Sequence, residues 1–269
     1  MNRVQLLFES AALSILRFDH WPETGHCDDG EEVCTATAIN LVESGSFELG
    51  IGKRSWVLSG GSQFISRPGV VHRYRHFHGA PSDVCISARY SRLLAEEEGS
   101  LHDRNGPVRP TNRVAFLKLR LPGLVEGGDR LAVESWGCDL LQAVQSPREA
   151  PGLYRPRQLR WYAERVEAAR NVLEREFAQP HSLPDLARKV GMSTFQFTRV
   201  FHELAGSPPH RYLLQFRLEY ARRLLLDGIS VTDTCYESGF LNLSHFIRSF
   251  RRRFGCSPSK IKERRKVVK

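Results

Sequence analysis

The sequence predicts a two-domain α+β protein. An N-terminal β-barrel or sandwich with a flanking helix comes first, followed by an all-α domain of two helix-turn-helix modules joined by a central helix. Three observations carry this. The C-terminal part contains one pattern twice, at a shift of 48 residues that becomes 49. Residues 4–90 alternate short β-prone runs with Gly- and Pro-bearing turns, as sandwiches and barrels do. The charge is also divided: 23 Lys and Arg stand against 11 Asp and Glu from Arg155 onward, and 16 against 19 before it. A length of 269 residues suits two domains, and 41% hydrophobic residues is ample for two cores. The expected boundaries are 1–125 for the β domain, 126–157 for the flanking helix and linker, and 158–269 for the helical domain.

Candidate strands occupy residues 4–8, 13–18, 33–42, 47–51, 55–58, 63–66, 71–76 and 84–90. Arg67-Pro68-Gly69-Val70 puts Pro and Gly at the central positions of a type II turn, the second of which needs a positive φ. Residues 95–110, with three consecutive glutamates and scattered Gly, Asn and Pro, read as an exposed loop. Residues 129–145 carry Leu131, Trp136, Leu140, Leu141 and Val144 at helical spacing. That helix either packs on its own barrel or forms an interface between copies. The Pro- and Arg-rich run 146–157 is the expected linker. Residues 158–177 read as one long helix whose Val166, Ala169, Val172 and Leu173 enter the second domain.

Each copy of the repeat carries the same punctuation. Ser182 and Ser230 are expected helix caps, with Asp185 and Asp233 three residues on at the capping-box spacing. Gly191 and Gly239 stand where a chain leaving a helix needs a positive φ, which glycine reaches without a Cβ clash. Ser193 and Asn242 are expected to cap the next helices. Their core stripes are Phe197, Val200, Phe201 and Leu204 in one copy and Phe246, Phe250 and Phe254 in the other. Gly206 and Gly255 end them, and Ser207-Pro208 and Ser257-Pro258 are expected to start the following helices as cap and first residue. The helix-turn-helix modules therefore span 183–204 and 231–254. Between them, 212–226 is so rich in Leu, Phe, Tyr and Ala that it should be covered on most sides.

Opposite the phenylalanine stripes, the second helices present side chains that suit nucleic acid. The first offers Phe195, Gln196, Thr198, Arg199 and His202; the second offers Asn242, Ser244, His245, Arg248, Arg251 and Arg252. Arg pairs with guanine, Gln with adenine, and apolar groups touch the thymine methyl. A solvated polar face is the alternative, and for His202 and His245 it stands level with the functional reading. Basic residues at Lys260, Lys262, Arg264, Arg265 and Lys266 add to a charge asymmetry that fits phosphate binding.

Residues 166–264 resemble the DNA-binding domain of the AraC/XylS family of bacterial transcription regulators. The resemblance rests on Leu186-Ala187, Gly191-Met192-Ser193, Phe201, Gly206-Ser207-Pro208, Arg217, Ala221, Leu224-Leu225, Gly239-Phe240, Ser244-His245-Phe246, Phe250 and Phe254-Gly255-Cys256-Ser257-Pro258. It departs at Cys235, where the family usually has Ala, and at Leu241-Asn242-Leu243, where Leu243 stands to alter base preference. The resemblance implies that both recognition helices enter the major groove on one face of the duplex, and that Arg217 is structural. Pro68 to His72 resembles a cupin-like sensor domain, which would put a small-molecule effector near Trp56 and His72. The implied partners are double-stranded promoter or operator DNA, an effector, a second copy of the chain and, for an activator, RNA polymerase.

No catalytic constellation is visible, so the chain is expected not to be an enzyme, and no cofactor is expected. The cysteines at 27, 34, 85, 138, 235 and 256 form no CxxC pair and read as buried thiols. His26, His72, His76 and His78 with Cys27 and Cys34 invite a metal reading, but the only His-x-His pair comes late, and ordinary hydrogen-bonded histidines are the preferred account. No run of apolar residues is long enough to span a membrane, and the N-terminus lacks the features of a signal peptide, so a cytoplasmic location without membrane contact is expected. Two rival readings remain testable. A cupin-type metalloenzyme would bind metal without DNA affinity. A DNA-repair methyltransferase would need a zinc-chelating cysteine cluster, which the spacing does not provide.

Overall fold

The structure, a computed structural model, describes residues 3–21, 30–77, 82–97, 104–145 and 152–261. His26, Cys27, His78, Lys262, Arg264, Arg265 and Lys266 lie outside the described residues. The chain forms two compact units, Met1–Leu159 and Arg160–Lys269.

The first unit is built on two antiparallel sheets. Its strands are β1 (Arg3–Glu9), β2 (Leu13–His20), β3 (Gly30–Val33), β4 (Thr37–Ser44), β5 (Ser46–Ile51), β6 (Arg54–Ser59), β7 (Gln63–Ser66), β8 (Val71–His76), β9 (Asp83–Tyr90) and β10 (Gly106–Val108). One sheet runs β1-β2-β9-β4-β7-β10 and the other β3-β8-β5-β6. Helices α1 (Arg92–Glu97), α2 (Asn112–Glu126) and α3 (Arg130–Gln145) complete the unit.

The two-residue period of a strand divides the large sheet into two faces. Ile39 and Leu41 of β4, Ile65 of β7, and Ile86, Ala88 and Tyr90 of β9 form one core with Val114, Leu117, Leu121, Trp136, Leu140 and Leu141 of α2 and α3. The intervening residues of the same strands face the small sheet, where Val42, Phe47, Leu49, Leu58 and Phe64 form a second core. Trp136 donates its Nε1–H to the Leu117 carbonyl at 2.8 Å, and Tyr90 donates its hydroxyl to the Gly137 carbonyl at 3.0 Å. A Cβ on Gly137 would come within 2.6 Å of Leu13 Cδ2, so α3 lies directly on the sheet. The helix at 129–145, left open between barrel and interface, thus packs on its own β domain, with Leu131 at its start exposed.

In the first unit the structure corrects the expected elements at three places. The single strand at 33–42 is two strands in different sheets, because Cys34–Ala36 cross between them while Cys34 bonds to Val70 and Gly69. The loop at 95–110 contains the end of α1 and the edge strand β10, which pairs with β7. No element was expected at 112–126, yet α2 forms there, capped by Thr111 and running through Pro122 and Gly123. Of the linker, 146–151 lie outside the described residues, whereas buried Asn112 holds Gly152 and Tyr154 at 3.3 and 2.8 Å.

The second unit holds most of α4 (Pro156–Arg175), then α5 (Leu183–Lys189), α6 (Thr194–Ala205), α7 (Pro209–Leu226), α8 (Val231–Glu237) and α9 (Leu243–Phe254). Ser182, Ser193, Ser230 and Asn242 each accept a backbone N–H as helix caps. Asp185 and Asp233 accept the cap serine hydroxyls at 2.5 Å. Gly206 and Gly255 end their helices in the left-handed region, as glycine does. At the start of α7 the expectation is corrected by one residue: Pro208 is the cap, makes no side-chain bond, and Pro209 is the first helical residue. Only Pro209, Leu218, Ala221 and Leu225 of α7 are fully buried, so its apolar surface is covered on one side and half-covered elsewhere; Leu226 is exposed.

Candidate functional site

The second helices α6 and α9 owe their exposed faces to amphipathic periodicity. Phe197, Val200, Phe201 and Leu204 are fully buried in α6, and Phe246 and Phe250 in α9. Rings of Phe197 and Phe201 meet edge-on at 5.5 Å, and those of Phe246 and Phe250 at 5.6 Å. Those anchors fix which side of each helix faces solvent.

On α6, Phe195 is 81% exposed, an unusual state for so large an apolar ring. Arg199 is exposed beside Glu203, its Nη1 3.7 Å from the carboxylate at i,i+4 spacing. Three candidates are half-buried. Gln196 donates its amide to the Tyr162 hydroxyl of α4 at 3.1 Å, Thr198 donates to the Thr194 carbonyl at 2.8 Å, and His202 is the third. Gln196 therefore has a structural partner that competes with base contact.

On α9, Ser244, His245, Arg248, Arg251 and Arg252 are all exposed. The His245 ring lies 5.7 Å from Phe240, with its Nε2 3.4 Å from the Ser249 hydroxyl. Asn242 is exposed, but its side-chain oxygen is occupied by the His245 N–H at 2.9 Å, so it caps the helix. Leu243 packs into the second module's core and does not face outward. Its neighbour Leu241, which was not singled out as a contact, is 93% exposed at the mouth of the turn. A second apolar residue between buried Phe240 and the Asn242 cap was the available signal. Arg251, Arg252 and Arg253 occupy the last turn of α9, where cations also favour the helix dipole, and Arg253 pairs with Glu219 of α7 at 3.1 Å.

The turn after α4 joins the two modules. Arg217 of α7 donates to the carbonyls of Phe177 and Gln179 at 2.7 and 3.0 Å, and Phe177 packs on Phe216 and Tyr220. Tyr212 of α7 contacts Phe201 at 5.7 Å, receives the Arg170 Nε–H at 2.9 Å and donates to Glu174. Leu218, Ala221 and Leu225 enter the second module's core. The central helix is tied to both modules.

A half-open cavity of about 340 Å³ lies between the sheets of the first unit. Phe18, Phe47, Phe64 and Tyr74 supply aromatic walls; Asn40, Ser66, Ser87 and Arg89 supply polar groups from the inward positions of β4, β7 and β9. Neither Trp56 nor His72 is among its lining residues. Trp56 is half-buried in the inter-sheet core beside Gly106. His72 is fully buried behind Tyr74, its ring nitrogens 3.2 Å from the Tyr74 hydroxyl and from Asn105 Oδ1, and burial lowers its pKa. On β8 the cavity is lined instead by Tyr74 and His76, and β6, which carries Trp56, contributes no lining residue. Burial raises the thiol of Cys34 and pushes that of Cys85 up to about 12, so both are protonated at neutral pH. His76, one of the histidines considered for metal, lies in the cavity wall beside His20 and Asp83. No helix among the described residues is long and apolar enough to cross a membrane.

A family model described as a helix-turn-helix domain matches residues 186–264. The transcriptional activator RhaS of Citrobacter koseri is 38% identical over 246 residues, covering 86% of each chain; that of Escherichia fergusonii is 37% identical over 243 residues, covering 84% of this chain and 85% of the relative. The regulator ExsA of Pseudomonas aeruginosa is 34% identical over 99 residues, where the match spans 36% of either chain, about a third of that relative's length. Among solved structures, an AraC-type regulator from Chromobacterium violaceum is 30% identical over 38% of this chain and 92% of its own, at a TM-score of 0.36. With identity of this level sustained across both units, the chain belongs to the AraC/XylS family of bacterial transcription regulators.

Proposed function

We propose that the chain reads a specific DNA sequence through α6 and α9 and is regulated by a small molecule held in the cavity of its β domain. One observation carries the first part. Arg199 and Arg248 stand at corresponding positions of the two repeats, 49 residues apart, and both are exposed on second helices whose opposite faces are buried. Two such helices, fixed by α7 and the turn after α4, suit two successive segments of major groove. Phe195 and Leu241 add apolar contacts of the kind thymine methyls accept. Ser244 and His245 flank Arg248, while Arg251, Arg252 and Lys260 supply phosphate contacts that carry affinity without sequence information. Gln196, Thr198, His202 and Asn242 serve the interface mainly by fixing the helices that bear the exposed residues.

The test is a pair of single substitutions. Arg199→Ala and Arg248→Ala should each weaken cognate binding by about 1–3 kcal/mol and relax preference at one base position. Equal losses on cognate and random DNA would make them phosphate contacts.

A cavity of this size with aromatic walls and a few polar groups supports the effector reading. An effector acts only if it binds one DNA-binding state better than the other. The relatives that cover most of the chain are named transcriptional activators, which supports activation, with RNA polymerase as a further partner. The proposal assigns the cavity no catalytic role and places the protein in the cytoplasm with its DNA. Operator affinity measured with each metabolite that raises the melting temperature tests the effector. A thermal hit that never changes operator affinity would refute it.

A further inference from the structure

We propose that His20, His76 and Asp83 form a divalent transition-metal site in the wall of the β-domain cavity. His20 ends β2, His76 ends β8 and Asp83 begins β9. The antiparallel register of β2 and β9 sets His20 opposite Asp83, and His76 reaches them from the other sheet. One ligand atom from each residue lies within 4.8 Å of the other two.

The three are held in place before any ion arrives. The imidazoles of His20 and His76 stack with centroids 3.6 Å apart and planes 18° from parallel. His76 Nδ1 is 2.9 Å from Asp83 Oδ1, and the two side chains are 12% and 8% exposed. A Cβ on Gly45 would come within 2.5 Å of Asp83 Cα, so the turn between β4 and β5 presses on the aspartate backbone and leaves it little room to move. A simple ion pair between His76 and Asp83 does not require a second imidazole laid face to face on the first. The second imidazole brings another ring nitrogen within 4.8 Å of the same carboxylate, and a tilt of one ring out of the stack aims both in-plane lone pairs at a single ion.

Two imidazole nitrogens and one carboxylate oxygen select borderline cations such as Zn²⁺, Co²⁺, Ni²⁺ or Fe²⁺ over Mg²⁺ and Ca²⁺, which prefer all-oxygen shells. Cys34 and Cys85 line the same cavity without joining the cluster. All three ligands line the cavity, so the remaining coordination positions open onto it. Three protein ligands with an open position make a site that a cavity ligand or water completes. His76 and Asp83 stand at the facing ends of the consecutive strands β8 and β9, His20 comes from β2, far away in sequence, and His20 and Asp83 carry no motif.

The full-length protein, stripped with a chelator and dialysed, is titrated with Co²⁺ and Zn²⁺ by calorimetry and, for Co²⁺, by visible absorption. The expected result is one ion per chain, with nitrogen- and oxygen-ligated Co²⁺ bands. Affinity should fall roughly tenfold or more in His20→Gln and in Asp83→Asn. Loss of Asp83 removes a buried ion-pair partner and can unfold the domain. His20→Gln, at a half-buried strand end, is therefore the deciding variant, with far-UV circular dichroism confirming its fold. Absence of binding up to millimolar ion, or stoichiometric binding that His20→Gln leaves unchanged, would overturn the site. The titration needs neither effector nor DNA, so its failure would leave the proposed regulatory function intact.

Discussion

The two turn glycines of the repeat look equivalent in sequence but should respond very differently to alanine. Gly191 and Gly239 both adopt positive φ, 66° and 77°. An L-residue there costs about 1–2 kcal/mol through its Cβ and the following carbonyl. For Gly191 the cost ends there, because nothing lies within 4 Å of the added Cβ. At Gly239 the same atom would sit 2.7 Å from Ala178 Cα and 2.9 Å from its carbonyl oxygen. Both are backbone atoms of the turn that Arg217 holds by two hydrogen bonds, so they cannot swing aside as a flexible side chain would. Overpacking of this kind typically adds about 1–3 kcal/mol. Gly239→Ala should therefore lose more protection than Gly191→Ala by that margin. Native-state hydrogen exchange reads it directly, comparing amides of α8 and α9 in one variant with those of α5 and α6 in the other. A difference of about 1–3 kcal/mol corresponds to roughly 5- to 150-fold in exchange rate. Equal losses in the two modules would refute the reasoning, since the turn would then be free to move off Ala178.

Three further outcomes follow from the geometry. Leu225→Asp places an unpaired charge among Cys235, Phe246 and Phe250 and should unfold the second module, whereas the same change at half-buried Leu224 should cost less; circular dichroism melts of the two variants compare them. Arg252→Gln should flatten the log K versus log salt slope by about 1 if the exposed guanidinium meets a phosphate, and an unchanged slope in a filter-binding titration would remove it from the interface. Burial lowers the His72 pKa, so the unfolded chain binds a proton that the folded domain excludes. Its stability contribution is fully present above the unfolded value of about 6.5 and declines as pH falls from there toward the folded value, with a limiting slope of about 1.4 kcal/mol per pH unit. His72→Gln should flatten the urea-midpoint profile over that window.

The sequence by itself determined the helical domain almost to the residue, because its information is local. Caps at Ser182, Ser193, Ser230 and Asn242, glycines at 206 and 255, and the phenylalanine stripes each act within one or two turns of chain. Exposure of Phe195, Arg199, Ser244, Arg248, Arg251 and Arg252 followed from the same periodicity. Local signals also misled: the Gly, Asn and Pro of 95–110 concealed β10, whose central residue is Pro107. Tertiary structure alone decided which strands pair, that Cys34–Ala36 pass from one sheet to the other, and that Gly239, unlike Gly191, meets a backbone. It also decided the cavity. Alternation along a strand says which side chains share a face, but the partner across that face is chosen by long-range pairing. Hence His72 and Trp56 drew attention through the resemblance, while His20, far away in sequence, was brought to Asp83 by the β2–β9 register and to His76 across the two sheets.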